Sequence, residues 1–160
     1  MYLIEKATER RIAAELSIVN ERDYQKIERA STFGFDWRQE SVYEVWKLVA
    51  PEWSNDILGL ISLIDYPEEL RVHGNLIEVA TPHVGKSKQL DRIAGCLIAK
   101  GCIESFRRRY FGFFSVIPKT LLIDHYQDLY GFRQFGRQLA VQLDESKTLV
   151  KEYLPNEKIF

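Results

Sequence analysis

Lys86, Ser87 and Lys88 sit in one short stretch, Val84–Leu90 (VGKSKQL), and their types and spacing suit the binding of a phosphate. Ahead of them Leu76, Ile77, Val79 and Ala80 read as an apolar strand, broken at Thr81-Pro82-His83 because Pro82 has no N–H for a ladder. Behind them Leu90, Ile93, Ala94, Leu97, Ile98 and Gly101 recur with a helical period. Ser87 is the predicted N-cap, its hydroxyl free to accept an orphan N–H of the first turn. A helix that starts in a short loop off a strand presents unpaired N–H groups and the positive end of its dipole. Gly85 leaves the backbone room, and Lys86 and Lys88 add mobile positive charge. The stretch therefore reads as an anion cradle.

The other charged and nucleophilic groups offer less. Arg107-Arg108-Arg109 lies about 20 residues from that helix start, roughly 30 Å at 1.5 Å per residue, so it cannot share a ligand with the lysines. It reads as a solvated helix terminus, favourable against the dipole. Cys96 and Cys102 fall six apart on different faces of one predicted helix, which suits neither a disulfide nor a zinc site. Phe33, Phe35 and Trp37 alternate in a loop; they either line a substrate mouth or bury against the neighbouring helix, and burial is the favoured reading.

These groups need elements to hold them. At 160 residues, with 46% hydrophobic and 28% charged residues, the chain reads as one domain with a single core, residues 1–160. Its 22 basic and 23 acidic residues leave a net charge of −1, which disfavours extended binding along a nucleic-acid backbone. No apolar run has the length of a membrane span, and MYLIEKATERR lacks a signal-peptide core, so the cytoplasm is the expected compartment. Ala14–Val19 is read as a first strand. Asn20 caps a helix with Tyr24 and Ile27 on one face. Val42–Val49 is a strand, and Ile57–Ile64 (ILGLISLI), apolar on both faces, is a central one. Arg71–Ala80 returns beside it as a hairpin. Gly112–Ile117 is a strand stopped by Pro118, and Thr120–Leu129 a helix stopped by Gly131. Two short strands follow near Phe132–Phe135 and Leu139–Leu143, then a closing helix, Ser146–Leu154. The sum is an α+β fold, a three-layer α/β/α domain around a mixed, mostly antiparallel sheet of about six or seven strands.

This order of elements, with VGKSKQ at the loop and HYQDLYGF near the C-terminus, resembles the GNAT superfamily of acyl-CoA-dependent N-acyltransferases from about Ala14 to Leu143. In that family the loop reads Gln or Arg, two residues, Gly, one residue, then Gly or Ala, and its backbone N–H groups hold the pyrophosphate of coenzyme A. Aligned on the loop, Val84 stands at the first position, Ser87 at the first glycine and Gln89 at the second. The resemblance implies acetyl-CoA as co-substrate, held by Val79, Ala80 and Val84, Gly85, Lys86, Ser87, Lys88, Gln89 and Leu90, with the pantetheine arm between Asn75–Ala80 and Gly112–Ile117. It implies direct attack of an unidentified amine acceptor on the thioester, Glu78 on the splayed strand as the base, and strand N–H groups polarising the carbonyl. His83 and His125 are lesser candidates for the base, and His73 has no evident role. The family often carries a tyrosine, three residues, then Gly-Phe, the tyrosine protonating the departing thiolate. Here Tyr126 is four residues from Gly131-Phe132, so either it or Tyr130 faces the cleft, or an aromatic staple stands there instead. A GNAT-like domain that binds a ligand or a protein without catalysis is the alternative. Expected partners exclude nucleic acid and membrane, and a homodimer is left open.

Overall fold

The computed structural model describes residues 1–118 and 123–159. In chain order it runs β1 (Tyr2–Glu5), β2 (Arg11–Ala13), β3 (Glu15–Ile18), α1 (Glu21–Ala30), β4 (Glu44–Val49), β5 (Ile57–Tyr66), β6 (Arg71–Val79), β7 (Leu90–Asp91), α2 (Ile93–Arg107), β8 (Phe114–Val116), α3 (Ile123–Tyr130), β9 (Arg133–Phe135), β10 (Gln138–Val141) and α4 (Leu143–Tyr153). A seven-stranded sheet has the order β3-β4-β5-β6-β8-β10-β9, and a three-stranded sheet the order β2-β1-β7. The pairs β3–β4, β8–β10 and β9–β10 are antiparallel and β6–β8 is parallel, so the large sheet is mixed and mostly antiparallel, as expected. β5 and β6 are neighbours, which the hairpin reading required. The chain divides into two compact units, Met1–Ser62 with Leu76–Leu97, and Leu63–Asn75 with Ile98–Phe160.

In the first unit α1 begins with the capping box that Asn20 announced. Its amide oxygen accepts from the Asp23 N–H, and Asp23 accepts from the Asn20 N–H, both at 2.9 Å. The apolar face of α1, Tyr24 and Ile27, packs with Val19, Trp37, Val45, Ile57 and Leu60. Gly59 faces the opposite way. A Cβ there would meet Ile93 at 2.7 Å and Leu97 at 3.0 Å, so α2 covers the second face of β5. That double cover is the physical reason for the unbroken apolar run of Ile57–Ile64.

In the second unit Gly101 lies within α2, which continues to Arg107. The Phe114 ring lies 2.3 Å from where a Cβ of Gly101 would stand, so glycine makes room for the ring. Glu104 gathers Lys100 at 2.7 Å, Arg107 at 2.9 Å and Arg108 at 2.8 Å, and Arg107 also reaches Glu157. Arg107 and Arg108, read from the sequence as part of a solvated helix terminus, are instead paired with carboxylates. No helix among the described residues is long and apolar enough to cross a membrane.

The departures from the sequence reading are local. β1 and β2 come before the expected first strand. β4 starts at Glu44, because Trp37–Val42 forms a 3-10 turn. The predicted start of α3 at Thr120 lies outside the described residues. α2 starts at Ile93, six residues after the expected Ser87 cap, because Leu90–Asp91 is drawn into a ladder with β1.

Candidate functional site

Among the described residues, the ladder between β6 and β8 stops short of the outer part of β6. Its ladder with β8 covers Val72–Gly74, opposite Phe114–Val116, and β6 itself continues to Val79. Val72 donates its N–H toward β8, to Phe113 O, whereas Ala80 donates toward β5, to Leu58 O at 2.9 Å. In a regular strand residues eight apart point the same way, so β6 carries an extra residue, a bulge, between them. The side chains agree: Gly74 faces Phe114, while Leu76 joins the cluster beneath α1. With Ala80 turned to β5, alternation turns the backbone groups of Ile77 and Val79 away from it.

Glu78, the proposed base, is gripped by the aromatic loop. Its carboxylate accepts from the Gly34 N–H at 2.6 Å, the Phe35 N–H at 3.3 Å and the Trp37 indole N–H at 2.8 Å. Thr81 adds a second tie, donating its N–H and hydroxyl to Thr32 O at 3.0 and 2.9 Å. Trp37 is buried at 1% exposure and Phe33 packs on the same cluster, while Phe35 stays 44% exposed. The burial reading therefore holds for two of the three aromatics.

Along the loop, Val84 is 57% exposed, Lys86 and Ser87 are exposed, and Gly85 adopts φ +78° with open space where a Cβ would be. Lys88 pairs with Asp91 at 2.8 Å. Gln89 donates its N–H to Pro82 O and accepts from the Lys6 N–H, and Leu90 is buried in β7 opposite Glu5. Ser87 is not a helix cap. That place falls to Arg92, whose carbonyl accepts from the Cys96 N–H at 3.0 Å. The first-turn N–H groups that have no partner within the helix accordingly belong to Ile93, Ala94 and Gly95. Arg92 adopts φ +83°, a conformation natural for glycine, and its guanidinium lies over the Tyr2 ring and donates to Tyr2 O. The pattern Gln, two residues, glycine-like φ, one residue, Ala is thus met by Gln89, Arg92 and Ala94 immediately at the helix start. Sequence comparison with Val84 in the first position missed it because an arginine stands where the backbone asks for glycine.

Tyr126 is half-buried, its ring against Phe132 at 5.4 Å and Tyr130 at 6.0 Å, and burial pushes its phenol above the ordinary range. The end of α3 explains its spacing. Gly131, at φ +73°, returns its N–H to Gln127 O in an αL ending, and Phe132 N–H returns to Tyr126 O, so the Tyr126 and Phe132 rings meet. Tyr130 is buried against Tyr153. His125 is exposed. His83, the lesser candidate base in the loop, is only 6% exposed, edge-on to Trp53, and burial lowers its pKa. His73 lies inside a polar group, 2.8 Å from Ser115 Oγ, with Arg71 donating to Ser115 at 2.7 Å. Both cysteines are buried and outside any disulfide.

No family model and no curated protein matches the sequence. Solved structures do match. The ribosomal-protein-S18-alanine N-acetyltransferase from Escherichia coli superposes with a TM-score of 0.58 at 13% identity, covering 82% of this chain and 94% of that one. AtaTR bound with acetyl-CoA gives 0.58 at 13% identity over 85% and 97%. Nourseothricin acetyltransferase gives 0.53 at 13% identity over 80% and 95%. At such identities the likeness is one of fold, and the fold is that of the GNAT superfamily.

Proposed function

We propose that the chain is an acyl-CoA-dependent N-acetyltransferase acting on an amine acceptor. The observation that carries this reading is the start of α2: Gln89, a positive-φ residue and Ala94 lead directly into first-turn N–H groups that have no partner within the helix, in a chain with the GNAT fold. Those N–H groups and the helix dipole suit the pyrophosphate of coenzyme A. Val79, with Ile77, turns its N–H and C=O away from β5, which suits hydrogen bonding to the amides of a pantetheine arm. Ala80 sets the strand's direction through its bond to Leu58. Val84, Gly85, Lys86, Ser87 and Lys88 form the exposed approach to the helix, and their lysines supply attraction that salt screens. Gln89 and Leu90 fix the loop's end to β1.

When the cofactor is bound, its thioester supplies the electrophilic carbonyl. The amine nitrogen attacks that carbon and the C–S bond breaks. Glu78 is assigned the amine's proton: its two oxygens offer about four acceptor positions, of which three hold the loop. Tyr126 is assigned the protonation of the departing thiolate. Acetyl-CoA with a panel of small amines and peptides, assayed for free thiol, tests the reading directly. Acceptor-dependent thiol release supports it, and tight acetyl-CoA binding without turnover on any acceptor would favour the second reading, a cofactor-binding module. That second reading has one observation behind it, the acid Asp91 and the bulky Arg92 at the cradle. The expectation of no nucleic-acid partner rests on net charge. AtaT, a similar fold at 11% identity, is complexed with acetyl-methionyl-tRNAfMet.

A further inference from the structure

The three-stranded sheet β2-β1-β7 has no counterpart in the expected element order. Leu3, Ile12 and Leu90 are buried on one face. The other face carries Arg11, Tyr2, Ile4 and Asp91, because Ile4 pairs with both Arg11 and Asp91. Tyr2 is contacted by Arg11 of β2 and by Arg92, the residue after β7: Arg11 Cζ lies 4.2 Å from its ring centroid and Arg92 Cζ 4.1 Å. An aromatic ring contacted by two guanidiniums holds like charges close together. Lys88 and Lys6 add charge at the β7 end. The acid on this face, Asp91, is already engaged by Lys88 at 2.8 Å, by the Arg92 N–H at 2.9 Å, and electrostatically by Lys6. The result is a cationic row beginning at the first residue before α2.

Resting on the acyltransferase reading, we infer that this row binds the phosphomonoester at the nucleotide end of coenzyme A, with Arg11 and Lys6 as its distal contacts. The charge supports it. The N–H groups of α2 suit the two pyrophosphate groups, while the ligand's third phosphate needs side-chain cations beyond the helix. A bidentate guanidinium edge matches a terminal phosphate. The hairpin that carries Arg11 is held to the cradle by the Lys6–Gln89 and Glu5–Leu90 backbone contacts, so its cations are fixed relative to the helix start.

Titration calorimetry with CoA and with dephospho-CoA, which lacks only that phosphate, tests the inference on the intact chain. The wild type is expected to bind CoA at least about fivefold tighter than dephospho-CoA, the effect of one or two partly exposed ion pairs. The preference should shrink as salt rises. Arg11→Gln and Lys6→Gln, both at exposed positions, should each reduce it while leaving dephospho-CoA affinity within twofold. Equal binding of the two ligands by the wild type overturns this inference and leaves the acyltransferase reading standing. A preference that both variants keep overturns it as well. Binding of neither ligand overturns both together.

Discussion

Glu78→Ala removes the acceptor for three N–H groups at once, and their surroundings set the size of the effect. The Trp37 indole is buried, so its N–H would lose its partner without reaching water, at about 1–3 kcal/mol. The Gly34 and Phe35 amides lie on an exposed loop and can rehydrate, so each contributes about 0.5 kcal/mol. The total is about 2–4 kcal/mol, or about 6–12 °C in Tm for a mid-range loss of 3 kcal/mol in a chain of this size. Urea denaturation followed by Trp fluorescence gives the equilibrium value, and hydrogen exchange should show Gly34 and Phe35 losing protection before the rest of the unit. Glu78→Gln keeps one oxygen and should lose about half as much. If Glu78 also takes the amine's proton, the Gln variant should still lose about 10²–10⁴-fold in kcat while folded. A Glu78→Ala protein within about 0.5 kcal/mol of wild type, with unchanged exchange at Gly34 and Phe35, would refute the clamp.

Further outcomes follow from particular contacts. Arg92→Gly should be more stable than Arg92→Ala by about 1 kcal/mol in parallel urea titrations, because only glycine adopts φ +83° without strain; the opposite order would mean that Arg92 is an ordinary helical residue. Gly101→Ala drives a Cβ into the Phe114 ring and should cost about 1–3 kcal/mol by the same measurement. Burial, with Arg71 adding to it, lowers the His73 pKa to about 4, below its unfolded value, so the unfolded chain binds the proton first. Stability should therefore fall as pH drops from about 6.5 to 4, by on the order of 3 kcal/mol, and level off below. The difference between wild type and His73→Gln, measured across that range, isolates this contribution from the carboxylates. Burial pushes the Cys102 thiol up to about 12, so alkylation at pH 8 should be negligible in the native protein and rapid in urea, read by mass spectrometry.

The large sheet was legible because its signals are repeated. Ile57–Ile64, apolar almost throughout, reads as a strand covered on both faces, Asn20 as a helix cap, and Gly131 as a helix stop. The N-terminal hairpin was not, since Tyr2–Glu5 and Arg11–Ala13 are too short to show a period and their partner, Leu90–Asp91, is remote in sequence. That remote pairing also misplaced the start of α2: Leu90 fits the helical period but is held in a strand by Glu5. Glu78's grip on the aromatic loop, over a separation of 41 to 44 residues, leaves no local trace either. The bulge in β6 is equally silent, because Gly74-Asn75 reads as ordinary strand. What positions the candidate site is thus mostly long-range, whereas what builds the sheet is local.

The central claim is that the first turn of α2 holds the cofactor's pyrophosphate, and an amide-detected NMR titration with acetyl-CoA addresses it residue by residue. The account predicts saturable shifts centred on Ile93, Ala94 and Gly95, with Ala94→Asp weakening the affinity by at least about tenfold because it sets a negative charge against the phosphates. At 100 times Kd the ligand should also raise stability by about 2.7 kcal/mol. Shifts confined to other residues, or none at millimolar acetyl-CoA, would contradict it.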